Sequence, residues 1–146
     1  MIPIMLGMME RCTQSITAAM VNGTTIFTVS GGPITIIELV SVCVTVNDAT
    51  ASTLQWSSTP IVGSATTFSG ASASLASATA GTIVRLTPTA LSTAPTIVAA
   101  SAGGVSLGAN LANHIMVKDG IITTVIGVGS TTGTWRHLLR YQPLSP

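Results

Sequence analysis

Charged side chains are scarce in this chain, and their scarcity excludes several kinds of protein. Of its 146 residues five are Lys or Arg and four are Asp or Glu, a charged fraction of 6%, against about 25% in ordinary soluble domains. Nucleic-acid binding needs clustered basic side chains, so we predict no nucleic-acid partner. A net charge of only +1 promotes association, which favours an obligate oligomer or a component of a larger assembly.

Long apolar runs and cysteine clusters are also missing. The longest strongly apolar stretch, residues 34–46, contains Glu38 and is shorter than the about 20 apolar residues of a membrane helix. We therefore predict no membrane-spanning helix and no membrane partner. Cys12 and Cys43 are too few for a disulfide-dense scaffold. One disulfide between them is compatible with the sequence, and so is burial of Cys43 as a small apolar side chain.

Residues that could carry chemistry are few and scattered. His114 and His137 belong to no cluster with metal-ligand spacing, the four acids offer no carboxylate pair, and an aromatic content of 3% gives little stacking surface for sugars. Residues 104–108, GVSLG, match the G-x-S-x-G pattern around Ser106, with Asp119 and His137 following in the required order. No helix follows, however, and chance is the better account in a chain with 14 glycines. We predict no enzymatic activity, no cofactor and no metal site.

The residues that are abundant instead are those of β-strands. Thr, Ser, Ala, Val, Ile and Gly dominate, and short period-2 runs recur where no 3.6-residue apolar period is sustained. The clearest strand is predicted at residues 34–46, where a valine at every even position from 40 to 46 alternates with Ser, Cys and Thr. Its phase slips near Ile36 and Ile37, and a β-bulge there would reconcile the two halves.

Turn signals divide the rest of the chain into short strands. Asn22-Gly23 and Asp119-Gly120 each separate two strand-like runs, and such dipeptides favour the positive φ of hairpin turns. We therefore predict two β-hairpins, formed by residues 16–21 with 24–30 and by residues 114–118 with 121–128. Further strands are predicted at residues 52–56, 82–87, 96–99 and 134–141.

Eight to ten short strands at close spacing predict an all-β fold, a β-sandwich. A jelly-roll-like double sheet is the preferred architecture, and an immunoglobulin-like sandwich is the alternative, although both cysteines precede Trp56 and so break its Cys–Trp–Cys order. We predict an N-terminal arm at residues 1–11 and a single β-sandwich domain at residues 12–146. In the arm the first charges, Glu10 and Arg11, follow the apolar part, the opposite of a secretory signal.

Two groups of residues are candidates for an interface. The arm is rich in methionine, which packs adaptably against irregular surfaces; its alternative role is to fill the domain's own core. On the last predicted strand Arg136 and Arg140 lie opposite the face shared by Trp135, His137, Leu139 and Tyr141. They either meet a partner, form a solvated face, or pair with Glu38 inside the domain. The predicted interface residues are Met1, Ile2, Ile4, Met5, Leu6, Met8, Met9, Arg136 and Arg140.

The C-terminal stretch also resembles a known group of proteins. It runs from Gly120-Ile121-Ile122 through GVGSTTGT (residues 127–134) to WRHLLRYQPL (residues 135–144). This glycine-rich turn, aromatic strand and Tyr-x-Pro-Leu ending resembles that of small tailed-phage structural proteins encoded near the major capsid protein. The charge-poor, Ala/Ser/Thr/Gly-rich body is similar to that group too.

The resemblance implies a capsid decoration, or cement, protein. Such a protein would bind as a dimer or trimer to the major capsid protein, on the exterior of a virion shell with the HK97-type fold. The main alternative is a phage tail or fibre component with receptor or glycan binding. A self-assembling coat protein and a small serine hydrolase using Ser106 are the remaining alternatives.

Overall fold

A computed structural model of the chain describes residues 10–87, 90–99, 115–130 and 132–144. The regular structure in these residues consists of strands, with no helix. In chain order the strands are β1 (Arg11–Gln14), β2 (Ala18–Ala19), β3 (Thr25–Val29), β4 (Ile34–Thr45), β5 (Leu54–Pro60), β6 (Thr66–Thr67), β7 (Ile83–Arg85), β8 (Thr96–Val98), β9 (Ile115–Val117), β10 (Gly120–Ile126) and β11 (Thr134–Pro143). Arg11, which the sequence analysis counts with the arm, is the first residue of β1.

The strands form two antiparallel sheets that pack face to face, which confirms the predicted all-β sandwich. The larger sheet has the order β1-β11-β4-β7-β8, with β2 also on β11 and β9 also on β4; the smaller has the order β3-β10-β5-β6. The pairing is nested along the chain: β1 pairs with β11, β3 with β10, β4 with β7, and β5 with β6. In these four pairs each pair lies within the sequence span of the one before it, with β5 and β6 innermost.

The core lies between the sheets and takes alternate residues from each strand. Leu54 and Trp56 of β5 are buried, as their spacing predicts, and Ile122 of β10 packs in the same layer. Leu39 of β4 and Trp135 of β11 approach from the larger sheet. Because side chains alternate across a strand, the residues before and after each of these positions point to the opposite face of the sheet.

The predicted bulge in β4 is confirmed at Ile37. Arg140 of β11 lies opposite Glu38, but the next residue, Tyr141, lies opposite Ile36, so Ile37 has no partner in β11. The extra residue brings both Ile36 and Leu39 to the buried face, although three positions separate them. Without it, one half of β4 would turn its apolar side chains away from the core.

Both hairpin predictions are wrong. The Asn22-Gly23 turn joins β2, which pairs with β11, to β3, which pairs with β10 in the other sheet. Asp119-Gly120 likewise leads from β9 in the larger sheet to β10 in the smaller. Gly23 and Gly120 have a positive φ, of 79° and 153°, but Asn22 and Asp119 do not, although the predicted hairpin turn needs a positive φ at both positions. A sharp corner between two sheets and a hairpin both use the backbone freedom of the glycine, so the dipeptide in the sequence does not distinguish them.

A buried amide holds together the loops at one end of the sandwich. The Oδ1 atom of Asn47 accepts a hydrogen bond of 3.0 Å from Trp135 Nε1, and its Nδ2 atom donates one of 2.9 Å to the Leu75 carbonyl. A Cβ atom at Gly133 would collide with the same Oδ1 atom. Asn47 and Trp135 are 2% and 1% exposed, so the indole N–H has its partner inside the protein and not in solvent.

We expect the substitution Asn47→Ala to lower the free energy of unfolding by about 2–3 kcal/mol, because it leaves a buried indole N–H and a carbonyl unpaired. Urea unfolding should show a lower midpoint with an unchanged slope. Thr132→Ala is the matched control, since it removes a solvent-exposed hydrogen bond to Val46 at the same end and should cost less than about 0.5 kcal/mol. Equal losses in the two variants would contradict this account.

Candidate interface on the larger sheet

The outward face of the larger sheet follows from the alternation along β11. Trp135, His137 and Leu139 point into the core, whereas Arg136 and Arg140 are exposed on the other face. This division is the one that the sequence predicts. The outward residues of the neighbouring strands are then fixed by the register, because directly opposed residues of paired strands point to the same side.

The register assembles an apolar centre on this outward face. Val40 lies opposite Leu138 of β11 on one side and Arg85 of β7 on the other, and Val42 lies opposite Arg136 and Ile83. The four apolar residues are partly exposed, and we call them the outer apolar face: Val40, Val42, Ile83 and Leu138. A solvated sheet face ordinarily carries polar side chains at these positions, so this face is unusual.

A groove runs along the edge of the outer apolar face nearest to β1. We call it the outer groove, and its volume is about 420 Å³. It is lined by Cys12, Glu38, Val40, Val42, Leu138 and Arg140. A volume of this size lies in the range of about 300–1,000 Å³ that proteins use to hold ligands.

Arginines surround the apolar centre. Three of the chain's five basic residues, Arg85, Arg136 and Arg140, project from this face. Arg140 forms ion pairs of 3.5 Å with Glu10 and with Glu38. The pair with Glu38 confirms, for Arg140, the predicted alternative in which an arginine of this strand pairs with Glu38 inside the domain. These pairs are partly solvated, so they contribute little stability, and they hold Arg140 at the rim of the groove.

The remaining predicted interface residues divide into two groups. Arg136 is exposed as predicted, and its Nη2 atom donates a hydrogen bond of 3.4 Å to Thr17 Oγ1. Met1, Ile2, Ile4, Met5, Leu6, Met8 and Met9 lie outside the described residues. The residues of the outer apolar face were not among those predicted from the sequence. The valine alternation in β4 was the available signal, but alternation by itself does not say which side faces the core.

The two cysteines lie on opposite faces of the larger sheet. Cys12 is exposed beside the outer groove, whereas Cys43 is buried in the core, as predicted, and both are free thiols. A sheet separates the two side chains, so the disulfide that the sequence allowed does not form. Burial raises the pKa of the Cys43 thiol, which makes Cys12 the more reactive of the two.

His137, which follows Ser106 in the order that a catalytic triad requires, is buried in the structure. His137 is 3% exposed and its Nδ1 atom lies 2.6 Å from Ser41 Oγ. This distance suits a nucleophile and its base, but Ser41 is fully buried and a substrate could not reach it. Asp119 instead accepts a hydrogen bond from the Gly32 amide. Ser106 and His114 lie outside the described residues.

The described residues hold no group of three or more His, Cys, Asp or Glu close enough to bind a metal ion. No helix in this part of the chain is long and apolar enough to cross a membrane. Comparisons with protein-family models, with curated proteins and with solved structures found no match. The outer apolar face and its arginines are therefore interpreted from their own chemistry.

We expect His137 to make folding stability depend on pH between about 6.5 and 4. Burial lowers its pKa from 6.5 to about 4, so in this range the unfolded chain binds a proton that the folded chain does not. Stability therefore falls as the pH falls through this range, by up to about 3 kcal/mol, and is independent of this group above it. Urea unfolding from pH 7 to pH 4 should show the loss in the native chain and a smaller one in His137→Gln. The same loss in both would mean that another group is responsible.

Proposed function

We propose that this chain is a structural virion protein, a decoration or cement protein that binds the outer surface of a phage capsid and stabilises the shell. The observation that carries the proposal is the outer apolar face surrounded by Arg85, Arg136 and Arg140. Protein interfaces combine an apolar centre with enriched arginine and depleted lysine. The chain's one lysine, Lys118, lies in the connection between β9 and β10, away from this face.

Such a protein acts by binding energy. Burial of apolar surface contributes roughly 25 cal/mol per Å², and the outer apolar face offers that surface without desolvating lysines or carboxylates at its centre. Arginine can in addition form bidentate hydrogen bonds with carboxylates or carbonyls of a partner. The major capsid protein is the proposed partner. Association of the chain as a dimer or trimer would place several such faces on the shell and raise avidity without new contacts.

The order of the strands supports the same proposal. We infer a jelly roll from the nested pairing of β1 with β11, β3 with β10, β4 with β7 and β5 with β6. Double-sheet jelly rolls are used by viral capsid proteins, and also by lectins and cupins. Since a fold does not define a function, this support is an analogy, and the resemblance of residues 120–144 to phage structural proteins points to the virion among these uses.

We expect the double substitution Val40→Thr with Val42→Thr to weaken binding to the capsid at least about tenfold. Each change keeps the β-branched shape but buries a hydroxyl at the interface, and two such hydroxyls cost more than the 1.4 kcal/mol of a tenfold change. Val62→Thr with Val128→Thr is the matched control, since these valines are 86% and 55% exposed and belong to loops. Thermal unfolding should be nearly the same in both variants.

The binding measurement is co-sedimentation of the chain with empty shells assembled from its proposed partner, the major capsid protein. The native chain and the control should pellet with shells and stay in solution without them. A chain that forms shells by itself would support the coat-protein alternative. A chain that neither pellets nor assembles would contradict the proposal.

A further inference from the structure

The outer groove lies next to the point where the described chain begins. Glu10 directly precedes β1, and its Oε2 atom lies 3.5 Å from the Nε atom of Arg140, which lines the groove. The nine preceding residues, MIPIMLGMM, contain no charged side chain. An apolar segment is thus tethered at the rim of an apolar groove that no described residue covers.

The direction of β1 bears on whether this segment reaches the groove of its own molecule or that of a second copy. Arg11 lies opposite Tyr141 and Gln14 lies opposite Leu138, so the chain enters β1 from the Tyr141 end. The outer apolar face lies in the other direction, towards Leu138 and Arg136. To cover its own groove the segment would have to reverse its direction after Glu10, whereas a straight path leads away from that groove and leaves it open to another copy.

Length and pattern fit the groove of a neighbour. Nine extended residues span about 30 Å, and the three strand spacings from β1 to β7 span about 14 Å. Ile2, Ile4, Leu6 and Met8 alternate along the segment, so an extended backbone places all four on one side. Methionine and leucine side chains adapt well to a shallow apolar surface.

We propose that residues 1–9 of one copy of this chain bind in the outer groove of a second copy, against Val40, Val42 and Leu138, with Arg140 at the rim. This inference rests on the proposed function, because it supplies the contact by which copies would associate on a shell. The segment of the second copy then covers Val40 and Val42. The filled groove, together with Ile83, Arg85 and Arg136 beside it, forms the surface that we propose for the capsid protein.

Cys12 provides a direct readout of the groove. Its thiol lines the groove and is exposed in the described structure, whereas Cys43 is buried with a raised pKa. The full chain is alkylated with iodoacetamide over about a hundredfold range of protein concentration, and the modification of each cysteine is followed by mass spectrometry. We expect the rate at Cys12 to fall about tenfold at high concentration, because mass action fills the grooves with segments of other copies. Cys43 should stay unmodified throughout, which reports that the fold is intact.

Two full-length variants separate the segment from other causes. In the first variant, the rate at which Cys12 is alkylated should stay high at all protein concentrations. This variant carries three substitutions in the segment, Ile2→Ser, Ile4→Ser and Leu6→Ser. The matched control, Ile61→Ser with Val62→Ser, removes two side chains that are 77% and 86% exposed in the loop after β5 and should keep the concentration dependence. Loss of the dependence in this control would point to general association and contradict the proposal.

Mixing decides whether the segment acts between copies. The triple-serine variant keeps its Cys12, and it is mixed with an excess of a Cys12→Ser chain whose N-terminal segment is native. Protection of the variant's Cys12 by the added chain is the expected result. Slow modification of native Cys12 at every concentration, with no protection on mixing, would place the segment in its own groove and overturn the exchange. Fast modification under all conditions would overturn any role of the segment there.

The outcome is independent of shell binding. Concentration-dependent protection with no co-sedimentation would preserve the exchange of segments and remove the capsid as partner. Co-sedimentation with shells but no protection of Cys12 would support the capsid protein as partner and contradict the exchange of segments.

Discussion

The antiparallel pairing of β4 with β11 determines the arrangement of the larger sheet. These are the two longest strands, and β1, β2, β7 and β9 are each bound to one of them. Side chains alternate strictly along a strand, so a shift by one residue would exchange the two faces. The bulge at Ile37 makes one such shift within β4. It allows Ile36 and Leu39 to be buried together and turns Val40 and Val42 outward.

Because Val40 and Val42 point outward, polar side chains of β4 lie in the core and apolar ones lie on the surface. The buried side of β4 carries Ser41 and Cys43 beyond Leu39, and the hydroxyl of Ser41 needs the ring of His137 as its partner. The indole of Trp135 needs Asn47 in the same way. Satisfied polar contacts of this kind specify one packing of the core. The valines that could have filled the inner side instead form the apolar face that we propose as an interface.

Several sequence predictions were local and held. Alternation in residues 34–46, 52–56 and 134–141 gives strands in the structure, and the phase slip at Ile36 and Ile37 marks the bulge. The two hairpins failed because a turn dipeptide reports backbone conformation at two residues only. Which strand pairs with β3 or β9 depends on β10 and β4, which lie far from them in the chain, and no local signal contains that information.

The sequence by itself determined that the chain forms strands, where most of them lie, and which side chains share a face, because a strand has a two-residue period that the order of apolar and polar residues reveals directly. From the scarcity of charge it also predicts no nucleic-acid partner. Only the tertiary structure decided which face of β4 is buried, brought Cys12, Glu38 and Arg140 together in one groove, and separated the two cysteines. Those outcomes depend on the register between strands that are distant in sequence. The register in turn depends on which face of each strand is buried in the core.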